Sequence, residues 1–136
     1  MDNQRRDFLS VPGLDVTLLP PGTPINEPDI TNAIIFIFAE WSGQSHTGWA
    51  RLKAAAAAIP CNLPAITVCD IDEPLIQEFM RRAGNQPVTG AGETYWIRNG
   101  RVAAMLRAGV PGIIQEDVEE FLGRIAENGD RRQMVW

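Results

Sequence analysis

The chain has 136 residues, 45% of them hydrophobic, which suits one globular domain able to bury a core without disulfide or metal staples. Its net charge of −5 and pI near 4.8 argue against nonspecific nucleic-acid or anionic-membrane binding, which needs clustered Lys and Arg. The polar start Met1–Arg6 has no apolar stretch behind it, and no uncharged run reaches the ~20 apolar residues of a membrane span. The expectation is a soluble, cytoplasmic protein.

Residues 1–13 read as an N-terminal arm, residues 14–128 as the domain, and residues 129–136 as a polar tail ending in Trp136. Asp15–Leu19 predicts a first strand, stopped by Pro20-Pro21-Gly22. The connection from Pro24 to Asn32 has room for one helical turn. Residues 33–39 are almost uninterrupted apolar, the pattern of a parallel strand covered on both faces. After Ser45, apolar residues at Trp49, Leu52, Ala55, Ala56 and Ile59 form one helical stripe, and the alanine run 54–58 gives it propensity and a slim face. Ala65–Ile71 predicts another buried strand. Asp72 is the expected cap of a helix carrying Leu75, Ile76, Phe79 and Met80, with Pro74 in its first turn and Gly84 at its end. Asn99-Gly100 between two strand-like runs, Thr94–Arg98 and Arg101–Leu106, predicts a tight type I′ hairpin. Val118, Phe121, Leu122 and Ile125 mark the last helix, whose early acidic residues suit its dipole.

The element order, two parallel crossovers followed by an antiparallel hairpin and a helix, resembles the thioredoxin arrangement over roughly residues 14–127. The segment Phe38-Ala39-Glu40-Trp41-Ser42-Gly43-Gln44-Ser45 is similar to the thioredoxin active-site segment, where W-C-G-P-C joins a buried strand to a long helix. Val88–Glu93 and Val102–Ala104 fit the loop before the hairpin and the strand after it. About five extra residues, around 83–87, separate the chain from the usual length. The resemblance implies a three-layer α/β/α fold with a mixed sheet of four to five strands.

The same resemblance implies that the redox machinery is gone. Ser42 and Ser45 stand where the two cysteines would be, and a serine can neither form an ambient thiolate nor resolve a mixed disulfide. The family's buried carboxylate falls on Phe36, its lysine neighbour on Val68, and the proline facing the motif on Gly92, with Pro87 the nearby substitute only if the insertion is placed differently. Two readings of the serines stay open together, a repurposed site and simple capping of the helix. His46, the single histidine, adjoins Ser45, but adjacent helical side chains diverge by about 100° and do not form a serine–base pair.

No metal site is expected: Asp70, Asp72 and Glu73 read as an acidic helix start, and one His with two separated Cys builds no zinc site. No catalytic residue and no cofactor are expected. The remaining surface is the groove that in thioredoxins receives extended peptide, here Trp41, Ser42, Gly43 and Gln44, then Gly90, Ala91 and Gly92, then Gly109. Its small residues either permit close approach of a peptide strand or only satisfy tight turns. Trp96 and Trp136 are candidates for an added hydrophobic contact. The leading expectation is a noncatalytic, chaperone-like or assembly protein, monomer or weak homodimer, that binds a partner polypeptide. The alternatives are an enzyme in which Ser42 orients glutathione or another small thiol, and a residual redox role for Cys61 and Cys69.

Overall fold

The computed structural model describes residues 15–59, 63–84 and 90–135, with side chains described as far as Glu127. Five strands, β1 (Val16–Leu18), β2 (Asn32–Phe38), β3 (Ile66–Asp70), β4 (Glu93–Arg98) and β5 (Arg101–Arg107), form one sheet in the order β1-β3-β2-β4-β5. β1, β3 and β2 are parallel, while β4 is antiparallel to both β2 and β5. The helices are α1 (Gly43–Ala58), α2 (Pro74–Arg82) and α3 (Gln115–Val135), and a 3-10 turn (Glu27–Asp29) occupies the first connection. This is the mixed α/β sheet the sequence predicts, with five strands.

Period-2 alternation along β2 sorts its side chains between two cores. Ile34, Phe36 and Phe38 pack with Trp49 and Leu52 of α1 and Val118, Leu122 and Ile125 of α3. Ile35 and Ile37 pack on the opposite face with Ile76, Phe79 and Met80 of α2. Helices thus cover both faces, which is why the strand reads as a continuous apolar run. The alanine run does what a slim face allows, since Ala55 is fully buried while Ala57 and Ala58 remain outside.

Three local expectations change. α2 starts with Glu73 at the N-cap position and no side-chain cap. Asp72 does not cap it, because its own N–H is taken at 2.9 Å by the Asp70 carboxylate, which turns the chain one residue later. α1 begins at Gly43, so Ser45 lies inside its first turn. α3 continues as helix through Val135, into the segment read as a tail. The hairpin is as expected: Asn99 (φ 53°) and Gly100 (φ 80°) both take the left-handed conformation of a type I′ turn. No helix of the described residues is long and apolar enough to cross a membrane.

Candidate functional site

β2 delivers the chain through Ala39–Trp41 into α1, and the start of that helix faces the loop before β4 and the turn after β5. Ser42 is the N-cap of α1: its hydroxyl oxygen accepts from the Ser45 N–H at 3.4 Å, and its proton goes to the Gly90 carbonyl. One side chain thus starts the helix and ties it to the opposing loop. Ser45 is fully buried and accepts the Ala39 N–H at 2.8 Å, so the strand's last amide is not left without a partner in the interior. Capping therefore describes Ser42, whereas Ser45 bonds backward to the strand end.

The glycines behind this turn are there for space. A Cβ on Gly92 would lie 3.1 Å from the Gly109 nitrogen and 3.3 Å from the Gly48 Cα. One on Gly109 would lie 1.6 Å from the Gln44 carbonyl oxygen. Three backbone segments from α1, the β4 approach and the turn after β5 meet without side chains between them. Arg51 of α1 holds the third segment, donating to the Ala108 and Val110 carbonyls at 2.8 and 3.2 Å.

Of the eight predicted groove residues, the structure brings all eight together and divides them. Trp41, Gly43 and Gln44 are exposed and Ser42 is half-buried, whereas Gly90, Ala91, Gly92 and Gly109 are buried. Trp41 is 58% exposed, its ring lies against Gly90, and its indole N–H points to the Asp72 carboxylate at 3.3–3.4 Å. Of the two readings of these small residues, close approach of a peptide strand or tight turns, the first would need a free backbone edge, and the carbonyls of residues 90–92 are all engaged. The Gly90 carbonyl takes the Ser42 hydroxyl, the Ala91 carbonyl takes the Gly109 N–H at 3.0 Å, and the Gly92 carbonyl takes the Ala108 N–H at 3.1 Å. The Ala91 N–H is held at 3.1 Å by the carboxylate of Glu93.

The other redox positions are apolar core. Phe36 is fully buried against Trp49, with ring centroids 5.2 Å apart, and Val68 is its direct partner in the β2–β3 register. His46 does not approach Ser45; its Nε2 lies 2.9 Å from the Glu40 carbonyl and its ring meets Phe38 edge-on at 5.0 Å. Cys69 is buried among aliphatic side chains, and burial pushes its thiol up to about 12, far from a reactive thiolate. Cys61, Pro87 and Trp136 lie outside the described residues. No cluster of three His, Cys, Asp or Glu side chains able to hold a metal occurs among the described residues.

Sequence reasoning missed Glu93 and misplaced Trp96. Glu93 is fully buried, one of its oxygens has no hydrogen-bond partner among the described residues, and burial raises its pKa above the ordinary value. The one available signal was a charged residue at the mouth of an otherwise apolar strand. Trp96 is 7% exposed and faces α1 and α3, with its indole N–H on Asn32 at 2.7 Å. It lines a cavity of about 470 Å³ beside β5, with Ala104, Leu106, Ile113, Phe121 and Ile125, rather than the Trp41 turn.

No protein-family model matches the chain, and no curated protein matches it in sequence. Solved structures do. The thioredoxin of Malassezia sympodialis superposes with a TM-score of 0.59 at 13% identity, covering 86% of this chain and 96% of that one. A mutant thioredoxin from Halobacterium salinarum NRC-1 gives 0.57 at 14%, covering 86% and 95%. Mitochondrial thioredoxin 3 of Saccharomyces cerevisiae gives 0.57 at 15%, covering 80% and 94%. The chain has the thioredoxin fold. It has that fold without a CxxC motif, since its two cysteines are Cys61 and Cys69.

Proposed function

We propose that this protein is a noncatalytic thioredoxin-fold protein that binds an extended segment of a partner polypeptide, in a chaperone-like or assembly role. The contact surface is the exposed half of the former substrate groove, Trp41 to Gln44. The observation that carries the reading is the pairing of committed hydroxyls with a largely exposed aromatic ring. Both serines at the sulfur positions are engaged with backbone, while Trp41 presents most of its surface to solvent. A large exposed aromatic ring beside an adaptable Gly-Gln turn is the composition of a protein contact.

The thiol-orienting alternative is less favoured, because the Ser42 proton that would meet a thiolate is already donated to the Gly90 carbonyl. The test is affinity capture from the native cell with wild type and with Gly43→Arg, a position where an added Cβ meets nothing within 4 Å. The same preparation is assayed for insulin-disulfide reduction and for glutathione binding. The reading expects a partner captured by wild type and lost with Gly43→Arg, with neither thiol activity. Insulin reduction, or saturable glutathione binding abolished by Ser42→Ala, contradicts it.

A further inference from the structure

The buried half of the groove contains one polar contact that its packing does not require. Three of the five hydrogen bonds described along residues 90–92 join separate segments of the fold and hold α1, β4 and β5 in place. Two are local: Thr94 donates its hydroxyl to the Gly92 carbonyl at 3.0 Å, and the other comes from Glu93. Glu93 folds its carboxyl back two residues to hold the Ala91 N–H, while its second oxygen is buried with no partner among the described residues. A buried carboxyl oxygen left unpaired is destabilising, so the residue is a costly choice for a position that a small hydroxyl or an apolar side chain would fill. The Ala91 N–H it occupies is held by a side chain rather than by another backbone segment.

We propose that the Glu93 side chain is an autoinhibitory latch on the groove. It covers the Ala91 N–H, the donor with which an incoming extended polypeptide would begin to pair, and binding requires the carboxyl to leave. This inference rests on the polypeptide-binding reading above and assigns that site its regulation. Positive-φ glycines on both sides, Gly90 at 55° and Gly92 at 74°, define the short stretch the latch controls. The carboxyl has a way out to solvent, because its direct register partner on β5, Arg107, is exposed. Release exchanges burial of an oxygen that has no partner among the described residues for contact with water, and exchanges the Ala91–Glu93 bond for one to the ligand.

The surroundings make the latch proton-sensitive. Burial disfavours the charged carboxyl most; the bonds from its own and the Ala91 N–H, and then the field of Arg107 on β5, favour the ionised form. On β4 the next side chain on the same face is Tyr95, packed edge-on against Phe79 of α2. The face that α2 presents is apolar, Ile76, Phe79 and Met80, and its Arg82 is engaged with Glu27 and the Ile25 carbonyl. α1 meets this stretch through Gln44 and Gly48, both uncharged. Desolvation is the largest influence and the net shift is upward. The closed form therefore holds its proton at a pH where free glutamate, near 4.5, has lost it. Raising the pH through that elevated pKa charges a carboxyl whose second oxygen is buried without a hydrogen-bond partner, and drives it out. Stability supplied by the closed form is full below about pH 4.5 and is lost as pH rises through the elevated value. Groove occupancy should run the other way.

The experiment uses the full chain and a permanently extended probe, fluorescein-labelled, reduced and carboxamidomethylated α-lactalbumin, followed by anisotropy. Hydrogen-exchange protection of the Ala91 amide is measured in the same samples. The latch predicts that Glu93→Ala lowers Ala91 protection at least tenfold and tightens probe binding about fivefold or more. It also predicts that wild-type binding strengthens as pH rises and that Glu93→Gln, which keeps the acceptor but cannot ionise, removes that pH dependence. Where Glu93→Ala does not fold, the wild-type and Glu93→Gln pH series decide. Unchanged Ala91 protection in Glu93→Ala, or a pH dependence that persists in Glu93→Gln, overturns the latch. Lost protection with unchanged probe affinity also overturns it, and leaves the polypeptide-binding reading to be judged separately by whether Trp41→Ala abolishes binding.

Discussion

The two halves of the groove are built on opposite principles. In the buried half, Gly48, Gly92 and Gly109 bring three backbones together, Ser45 and Phe36 fill the space behind them, and nearly every polar group has an internal partner. In the exposed half, the side chains of Trp41 and Gln44 and the Cα of Gly43 face solvent, with the Trp41 ring resting on Gly90 and its indole N–H on Asp72. One consequence is that the sulfur positions differ in what they now do. Ser45 belongs to the interior, where its hydroxyl replaces reactivity with a bond to a strand end, and Ser42 sits on the boundary, joining the halves through Gly90.

That division is open to attack by substitution, and the expected costs fall steeply from the interior to the rim. The largest effect belongs to Gly109→Ala. Its methyl group would sit 1.6 Å from the Gln44 carbonyl oxygen, a backbone atom that cannot rotate away. Overpacking of this kind costs about 1–3 kcal/mol and sometimes more; here a loss above about 3 kcal/mol is expected, read as a lower denaturation midpoint in urea. Ser45→Ala comes next. It strips the Ala39 N–H of its acceptor in a site closed to water, and about 1–3 kcal/mol should go, with faster exchange at that amide.

Ser42→Ala removes an N-cap and the tie to Gly90. A cap is worth about 1 kcal/mol, and the bond to Gly90 is partly exposed, so the expected loss is smaller than for Ser45→Ala. If Ser42→Ala costs as much as Ser45→Ala, the boundary residue is part of the interior and the division has been drawn in the wrong place. Trp41→Ala should cost least, within about 0.5 kcal/mol, as surface substitutions do. A fall of several degrees in Tm for this variant would mean that the ring is a structural lid on Gly90.

The parts of the molecule legible in its sequence are those fixed by repeating local chemistry. The apolar run of β2, the stripe from Trp49 to Ile59 and the Asn99-Gly100 turn each state their geometry within a few residues. The places of Ser42 and Ser45 were legible for the same reason, since both stand at recognisable positions in a local strand-turn-helix pattern. What could not be read was partnership across the fold. Nothing in the sequence around Asp72 says that Asp70 takes its N–H and leaves its carboxylate to the Trp41 indole. Nothing around Glu93 says that its side chain turns back to Ala91 instead of pointing to solvent. Gly92 and Gly109 suggested turns, but the Gln44 carbonyl that makes a side chain impossible at Gly109 is more than sixty residues away along the chain. Trp96, named from sequence as a surface contact, is held inside by a hydrogen bond to Asn32 on the neighbouring strand.

The most direct test of the central claim, that the exposed half is a polypeptide-binding surface, is a titration of the labelled, extended α-lactalbumin probe into wild type and into Trp41→Ala at one pH. Circular dichroism and urea midpoints serve to show that both chains are folded. Saturable binding by wild type, reduced at least tenfold in a Trp41→Ala protein of unchanged stability, is the predicted result. Equal affinity for the two proteins would contradict the account.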